Sequence, residues 1–160
     1  MVRNPYEADL GDRDPLDAMS DTPGRIRAVV SKLSAADLER SHAPGKWTVR
    51  QLLVHLAQTE LALPVRARMA VSQTGYVAQP FDQNDWMAAE PGVDATTALD
   101  AYLAVRQMNL QFFSGLSPAD RAKAFHHPEY GDINIEWLMR QIAGHELHHL
   151  RQFESIARQG

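Results

Sequence analysis

Two histidines four residues apart, His145 and His149, lie in the apolar stripe of the last long amphipathic stretch of this chain. Leu138, Ile142, His145, His149, Phe153 and Ile156 recur there at intervals of three and four. Residues at i and i+4 of an α-helix are about 40° apart around the axis and one turn apart along it, so both imidazoles can converge on one ion. A third histidine, His55, holds the same kind of place in another helical pattern, in line with Leu52, Leu56, Thr59 and Leu63. A single inward histidine is ordinarily a core residue with one satisfied hydrogen bond. Three on apolar faces each bring a ring nitrogen that must be paired in a dry interior, and a shared metal ion pairs all of them at once. His148 falls on the face of Gln141, Gly144, Arg151 and Ser155, which reads as polar and solvated, and is expected to be a bystander or an outer-sphere group.

Three neutral imidazoles suit one divalent transition metal: zinc or nickel first, then iron, cobalt, copper or manganese. They leave a position free for water or substrate. Water there would be acidified towards neutrality, or displaced by a thiolate. The run His145-Glu146-Leu147-His148-His149 also reads literally as H-E-x-x-H, in which Glu146 would be the general base of a metalloprotease. Against that reading, only residues 150–160 follow, no further ligand lies downstream, and no strand is expected to hold a peptide. Glu146 is then an exposed helix residue, and no catalytic residue can be assigned.

The elements that must position these side chains are helices. Residues 1–14 have no periodic pattern and are expected to form an N-terminal arm that packs loosely or over a partner. A first helix is expected from Pro15 or Thr22 to Leu33, with Pro23-Gly24 starting or interrupting it. Thr48 with Gln51 three residues on is a capping box, and Trp47 before it can staple onto Leu52; this helix runs through Pro64 towards Val71. The connection from Gly75 to Thr97 is long, and Phe81, Trp86 and Met87 argue that it packs. A third helix spans Thr97 to Ser114, Ser34 and Ser117 cap short turns, residues 126–132 are loop, and Asn134 caps the last helix. Four amphipathic helices with no alternating strands predict an all-α four-helix bundle, with a long crossover between the second and third helices.

Composition narrows the function classes. The 160 residues suit a single domain spanning 1–160. There is no cysteine, which removes disulfides, thiolate metal sites and a cysteine nucleophile. The formal net charge of −4 and the lack of a basic run speak against nucleic acid as a partner. The N-terminus has no apolar core of a signal peptide, and no run approaches the ~18 apolar residues of a membrane span. A soluble cytoplasmic protein without membrane partners is expected.

Trp47-Thr48-Val49-Arg50 leading to His55, then Phe81-Asp82, His127-Pro128-Glu129-Tyr130-Gly131 and Gly144-His145 through Gln152 occur in an order and spacing that resemble the DinB/YfiT-like superfamily from about Pro44 onward. The resemblance implies a four-helix bundle with a crossover, a homodimer, and a divalent metal held by His55 in the W-T-x-R-x-x-x-x-H pattern and by His145 and His149 in the H-x-x-x-H pair. Characterised relatives include transferases that use bacillithiol or related low-molecular-weight thiols and a mycothiol-dependent isomerase; others are labelled metal-dependent hydrolases. The expected function is therefore activation of a small thiol or water for attack on a small electrophile, of S-transferase or hydrolase type. The alternative is a non-catalytic metal-binding stress-response protein. Gln58, Glu60, His148 and Gln152 are candidate outer-sphere or substrate contacts, and Trp47 and Trp86 candidates for the pocket mouth. Arg50, Arg106 and Arg151 either hold an anionic substrate or serve solvated or interface roles.

Overall fold

Side-chain caps mark where each long helix begins. Asp14 accepts from the amides of Leu16 and Asp17 at the start of a helix Pro15–Val30, with Pro15 in the first turn, where its missing N–H costs nothing. Thr48 and Gln51 form a reciprocal capping box for Val49–Ser72; Asp94 caps Ala95–Ser114; Asn134 caps Ile135–Ala157. In chain order the elements are α1 (Glu7–Leu10), α2 (Pro15–Val30), α3 (Ala35–Leu38), α4 (Val49–Ser72), α5 (Gln83–Ala89), α6 (Ala95–Ser114), α7 (Pro118–Arg121), β1 (Ala124–His127), β2 (Gly131–Asn134) and α8 (Ile135–Ala157). This computed structural model describes residues 2–159. None of its helices is long and apolar enough to cross a membrane.

The four long helices form a bundle in which α4 packs on α6 and α8, while α2 packs on α8 and α6. Successive helices α2 and α4 therefore lie diagonally across it. Contacts step in the same sense along α4 and α6, from Glu60 against Asn109 to Arg68 over Phe112, so these neighbours run parallel. A parallel pair needs a crossover, and residues 73–94 make it. The link bridges β1 at Val77 and returns to the start of α4, where Arg50 Nη1 donates to the carbonyl of Val93. Met19, Ile26, Leu53, Leu56, Phe113, Leu138 and Phe153 fill the shared core, and each such side chain contributes about 1.5–3 kcal/mol by leaving water.

Pro64 sits inside α4 without breaking it. Its missing N–H strips the carbonyl of Glu60 of its helical partner, and Asn109 Nδ2 of α6 donates to that oxygen at 3.0 Å.

Several expectations change. The stretch 126–132, read as loop, is mostly a hairpin pairing Phe125 with Ile133 around Gly131 (φ +68°), each strand four residues long and too short for an alternation signal. The crossover contains α5, capped by Asp82. The first helix is continuous from Pro15, through Pro23. The arm is not loose either. Asn4 Nδ2 donates to the carbonyl of Trp137, Arg140 meets Glu7 at 2.5 Å, and Arg151 meets Asp9 at 2.6 Å, pinning α1 along α8. The face of α8 that reads as solvated is thus partly covered, and Gln141 and Gly144 are buried.

Gly144 is where the arm presses closest, since a Cβ there would lie 2.4 Å from the Tyr6 carbonyl oxygen. Alanine in a helix interior is normally better than glycine by about 1 kcal/mol. Here the sign reverses: Gly144→Ala is expected to destabilise by about 1–3 kcal/mol. Denaturant unfolding would measure the loss, and faster amide exchange confined to residues 4–10 would locate it.

Candidate metal centre

Three imidazoles meet where α4 crosses α8. His55 Nε2 and His149 Nε2 each lie 2.9 Å from His145 Nε2, and all three residues are at most 7% exposed. Among the described residues this is the one group of three or more histidines or carboxylates whose ligating atoms converge. Gln152 Oε1, an acceptor, lies 2.7 Å from His149 Nδ1, which therefore carries the ring proton and leaves Nε2 bare. With His149 Nε2 bare, one proton on His145 cannot point at both neighbours, so at least one 2.9 Å nitrogen–nitrogen contact lacks a linear hydrogen bond. His55 Nδ1, buried without a partner, adds to the deficit. A cation facing the three lone pairs removes it, and the donor set fits a divalent transition metal.

Burial keeps these rings neutral. Desolvation lowers His55 to about 3, helped by the nearby His149. It lowers His149 to about 4, although the bond to Gln152 works the other way. His145 is pushed well below the ordinary histidine value by burial and by its histidine neighbours. Lone pairs are thus free for a metal throughout the neutral range.

Above the histidines is an open cleft in two lobes. One, of about 380 Å³, carries Tyr6, His55, Thr59, Arg66, Tyr130 and His145 in its walls. The other, of about 300 Å³, runs past Trp47, His148, His149 and Gln152. Tyr6, delivered by the arm, lines both and stands edge-on to His145 at 5.1 Å between centroids. Trp47 leans on His55 at 4.7 Å.

Behind the histidines lies a buried polar core that the sequence reading misjudged. Glu146 is not an exposed helix residue but 1% exposed. Its Oε1 accepts from Tyr102 and lies 2.8 Å from Arg106, whose Nη2 is also 2.5 Å from Glu60. Asn109 Nδ2 completes the cluster on Glu60 Oε2 at 2.9 Å. Two acidic side chains share one guanidinium in a dry setting. Burial raises Glu146 to about 8, against the opposing pull of Arg106 and with help from Glu60. Burial opposes the Arg106 charge, yet Glu146 and Glu60 hold it protonated. Turned into this cluster, Glu146 cannot serve the histidines as a base, which removes the metalloprotease geometry.

The other candidates divide. Gln152 is a hydrogen-bond partner of His149, and Trp47 and His148 border the cleft. Gln58 instead donates to Glu90, Glu60 belongs to the buried cluster, and Trp86 stacks on Phe81 outside the cleft wall. No arginine named from sequence faces the histidines: Arg50 meets Glu39, Arg106 is consumed inside, and Arg151 meets Asp9. Arg66, Tyr6 and Tyr130 line the cleft and were missed. Tyr6 and Tyr130 arrive on an arm and a hairpin with no periodic signal, and which side of α4 Arg66 faces is decided by the crossover packed against it.

Linkage gives a signed expectation for protein stripped of metal by a chelator. Below the ordinary histidine value of about 6.5 the unfolded chain takes up protons that the folded rings refuse, so stability falls with falling pH. Above about 4.5 the unfolded chain ionises Glu146, which the fold keeps protonated until about 8, so this group costs stability as pH rises. At least two histidines outweigh one carboxyl between about 4.5 and 6.5. Unfolding midpoints should peak near pH 6.5 and fall on both sides; a flat profile from 5 to 8 would contradict the buried neutral rings. Arg106→Met, which leaves the buried Glu60 carboxylate without its cation, should cost about 3–5 kcal/mol in denaturant unfolding.

Comparison with known proteins follows the same lines. The sequence profile of the DinB superfamily matches residues 18–153. A protein of Oceanobacillus iheyensis, provisionally named a metal-dependent hydrolase, is 28% identical over 144 residues, covering 89% of this chain and 84% of that one. The structure of YfiT from Bacillus subtilis, described provisionally as a metal-dependent hydrolase with an unusual four-helix bundle topology, superposes with a TM-score of 0.84 at 19% identity. That match covers 91% of this chain and 85% of YfiT. A mycothiol-dependent maleylpyruvate isomerase superposes with a TM-score of 0.71 at 14% identity, over 93% of this chain but 60% of that one.

Proposed function

The chain belongs to the DinB superfamily, and on that premise we propose that it is a metal-dependent enzyme that activates a low-molecular-weight thiol or water for attack on a small electrophile. The observation that carries this reading is the convergence of His55, His145 and His149 at the floor of an open cleft. Bound there, a divalent transition metal supplies a Lewis acid that acidifies a thiol or water and so provides a nucleophile near neutral pH. The names of similar proteins support both versions, since one group is described as metal-dependent hydrolases and another uses mycothiol.

The chain's own residues have distinct tasks. His55, His145 and His149 are the ligands, neutral and therefore ready without losing protons. Gln152 fixes the tautomer and ring orientation of His149. Tyr6 and Trp47 wall the histidines and restrict water, and the two lobes provide room for two small molecules beside them. Glu146 does not touch the reacting groups; with Arg106 it holds α8 in register. A metal that served only to tie helices together would have no use for this cleft. In solution a second copy of the chain is the partner, and Leu61, Val65 and Met108, exposed on the outer sides of α4 and α6, are the apolar groups it would cover.

Elemental analysis of untagged protein tests the reading. About one equivalent of zinc, nickel or another transition metal per chain is expected, and none in His149→Ala. Failure to take up metal after reconstitution with zinc, nickel or iron(II) would sink it. Gln152→Ala should keep the fold and weaken metal binding by about 10–100-fold in a competitive chelator titration.

A further inference from the structure

Only two arginines are buried among the described residues, and they are treated differently. Arg106 is neutralised by Glu60 and Glu146. Arg66, 6% exposed, has no carboxylate within salt-bridge distance among the described residues; its Nη2 donates to the carbonyl of Gln79 at 2.9 Å, and its other donors have no partner among them. A guanidinium that is nearly buried and matched only by a neutral carbonyl is costly unless an anion completes it.

Arg66 lines the larger lobe of the cleft, about three turns along α4 from His55. His127, 3% exposed, stands in the same wall. Its Nδ1 accepts from the amide of Glu129 at 3.2 Å, so the proton is on Nε2, a donor without a partner among the described residues. Tyr130 stacks on the His127 ring at 4.8 Å and on Trp137 at 5.1 Å, which holds the imidazole in place. Two exposed carboxylates, Asp82 and Glu129, also line this lobe; Glu129 acts on Arg66 through space, but neither forms an ion pair with it.

We infer that Arg66 and His127 form a carboxylate-binding subsite, which selects a small molecule carrying a carboxylate at one end and presents its other end to the histidines. This rests on the proposed function for the histidine end only. The guanidinium offers two parallel N–H groups to the two oxygens, and His127 Nε2–H adds a third donor from the side. His55 and Arg66 are eleven residues apart on α4, roughly 16 Å of helix, and the long arginine side chain shortens that span. The ligand is therefore an extended molecule of several bonds between its reacting group and its carboxylate, not a compact acid.

An extended thiol with a single terminal carboxylate, 6-mercaptohexanoate, and its methyl ester serve as probes. Their affinities would be read in two ways: by amide and arginine Nε chemical shifts in metal-free protein, and by the thiolate-to-metal absorption band in cobalt-loaded protein. In the wild type the acid should bind about tenfold tighter than the ester. The preference should fall to about onefold in Arg66→Gln, with ester binding unchanged, and survive in part in Arg66→Lys. His127→Phe, which keeps the stacking on Tyr130, should reduce the preference without abolishing it, and serves if Arg66→Gln does not fold. Equal binding of acid and ester, a preference that persists in Arg66→Gln, or no binding of either probe would overturn the subsite. A preference seen by chemical shift with no absorption band from either thiol would leave the subsite standing and count against thiol activation by the metal.

Discussion

One buried guanidinium sets the register of three helices. Arg106, on α6, touches Glu60 of α4 and Glu146 of α8, and no water is available to replace either contact. Glu60 follows His55 by five residues, and Glu146 follows His145 directly. Fixing both acidic side chains on one planar cation therefore fixes how far α4 and α8 can slide past each other, and with that the spacing of the ring nitrogens. Asn109 extends the arrangement to the backbone by occupying the carbonyl that Pro64 leaves open. A well-packed apolar core of the same shape would be at least as stable. What the charged cluster adds is a unique alignment, which suits a site needing three donor atoms placed to within a fraction of an ångström.

The N-terminal arm plays the corresponding part on the outer side of α8. It is anchored by Asn4, Glu7 and Asp9 to Trp137, Arg140 and Arg151, and it approaches the helix backbone at Gly144, the one position of that turn with no side chain to hold it off. Its contribution to the cleft is Tyr6. Placed edge-on against His145, this ring lines both lobes of the cleft beside the histidines. The hairpin β1–β2 and the crossover close the larger lobe with His127, Tyr130 and Phe81. The long bundle helices supply rigid ligands, and the short irregular segments supply the walls, a common division of labour in binding sites.

The cleft is electrically uneven. Neutral imidazoles sit at its floor, kept so by burial, while an almost buried cation lines its larger lobe. Each would be stabilised by a partner the chain does not supply: a cation for the imidazole lone pairs, an anion for the guanidinium. That pairing of deficits is the most informative feature of the surface for substrate chemistry.

Sequence alone determined a good deal here. The helices, their caps at Thr48 and Asn134, the bundle, the crossover and the convergence of His55, His145 and His149 were all legible, because helical periodicity is local and a polar ring on an apolar stripe stands out within a few turns. Apart from the short hairpin around Gly131, whose strands are too brief to show alternation, the wrong readings concern partners far away in the chain. Glu146 looked exposed because the residues that bury it, Tyr102 and Arg106, are on another helix. Arg106 and Arg66 are the same residue type on similar helices, yet one is consumed in the core and the other faces the cleft. The face containing Gly144 looked solvated because its cover is the arm, an aperiodic segment more than 130 residues earlier. Burial and ion pairing are sums over neighbours brought in by tertiary packing, so only the folded structure decided which charges line the site and which hold it together.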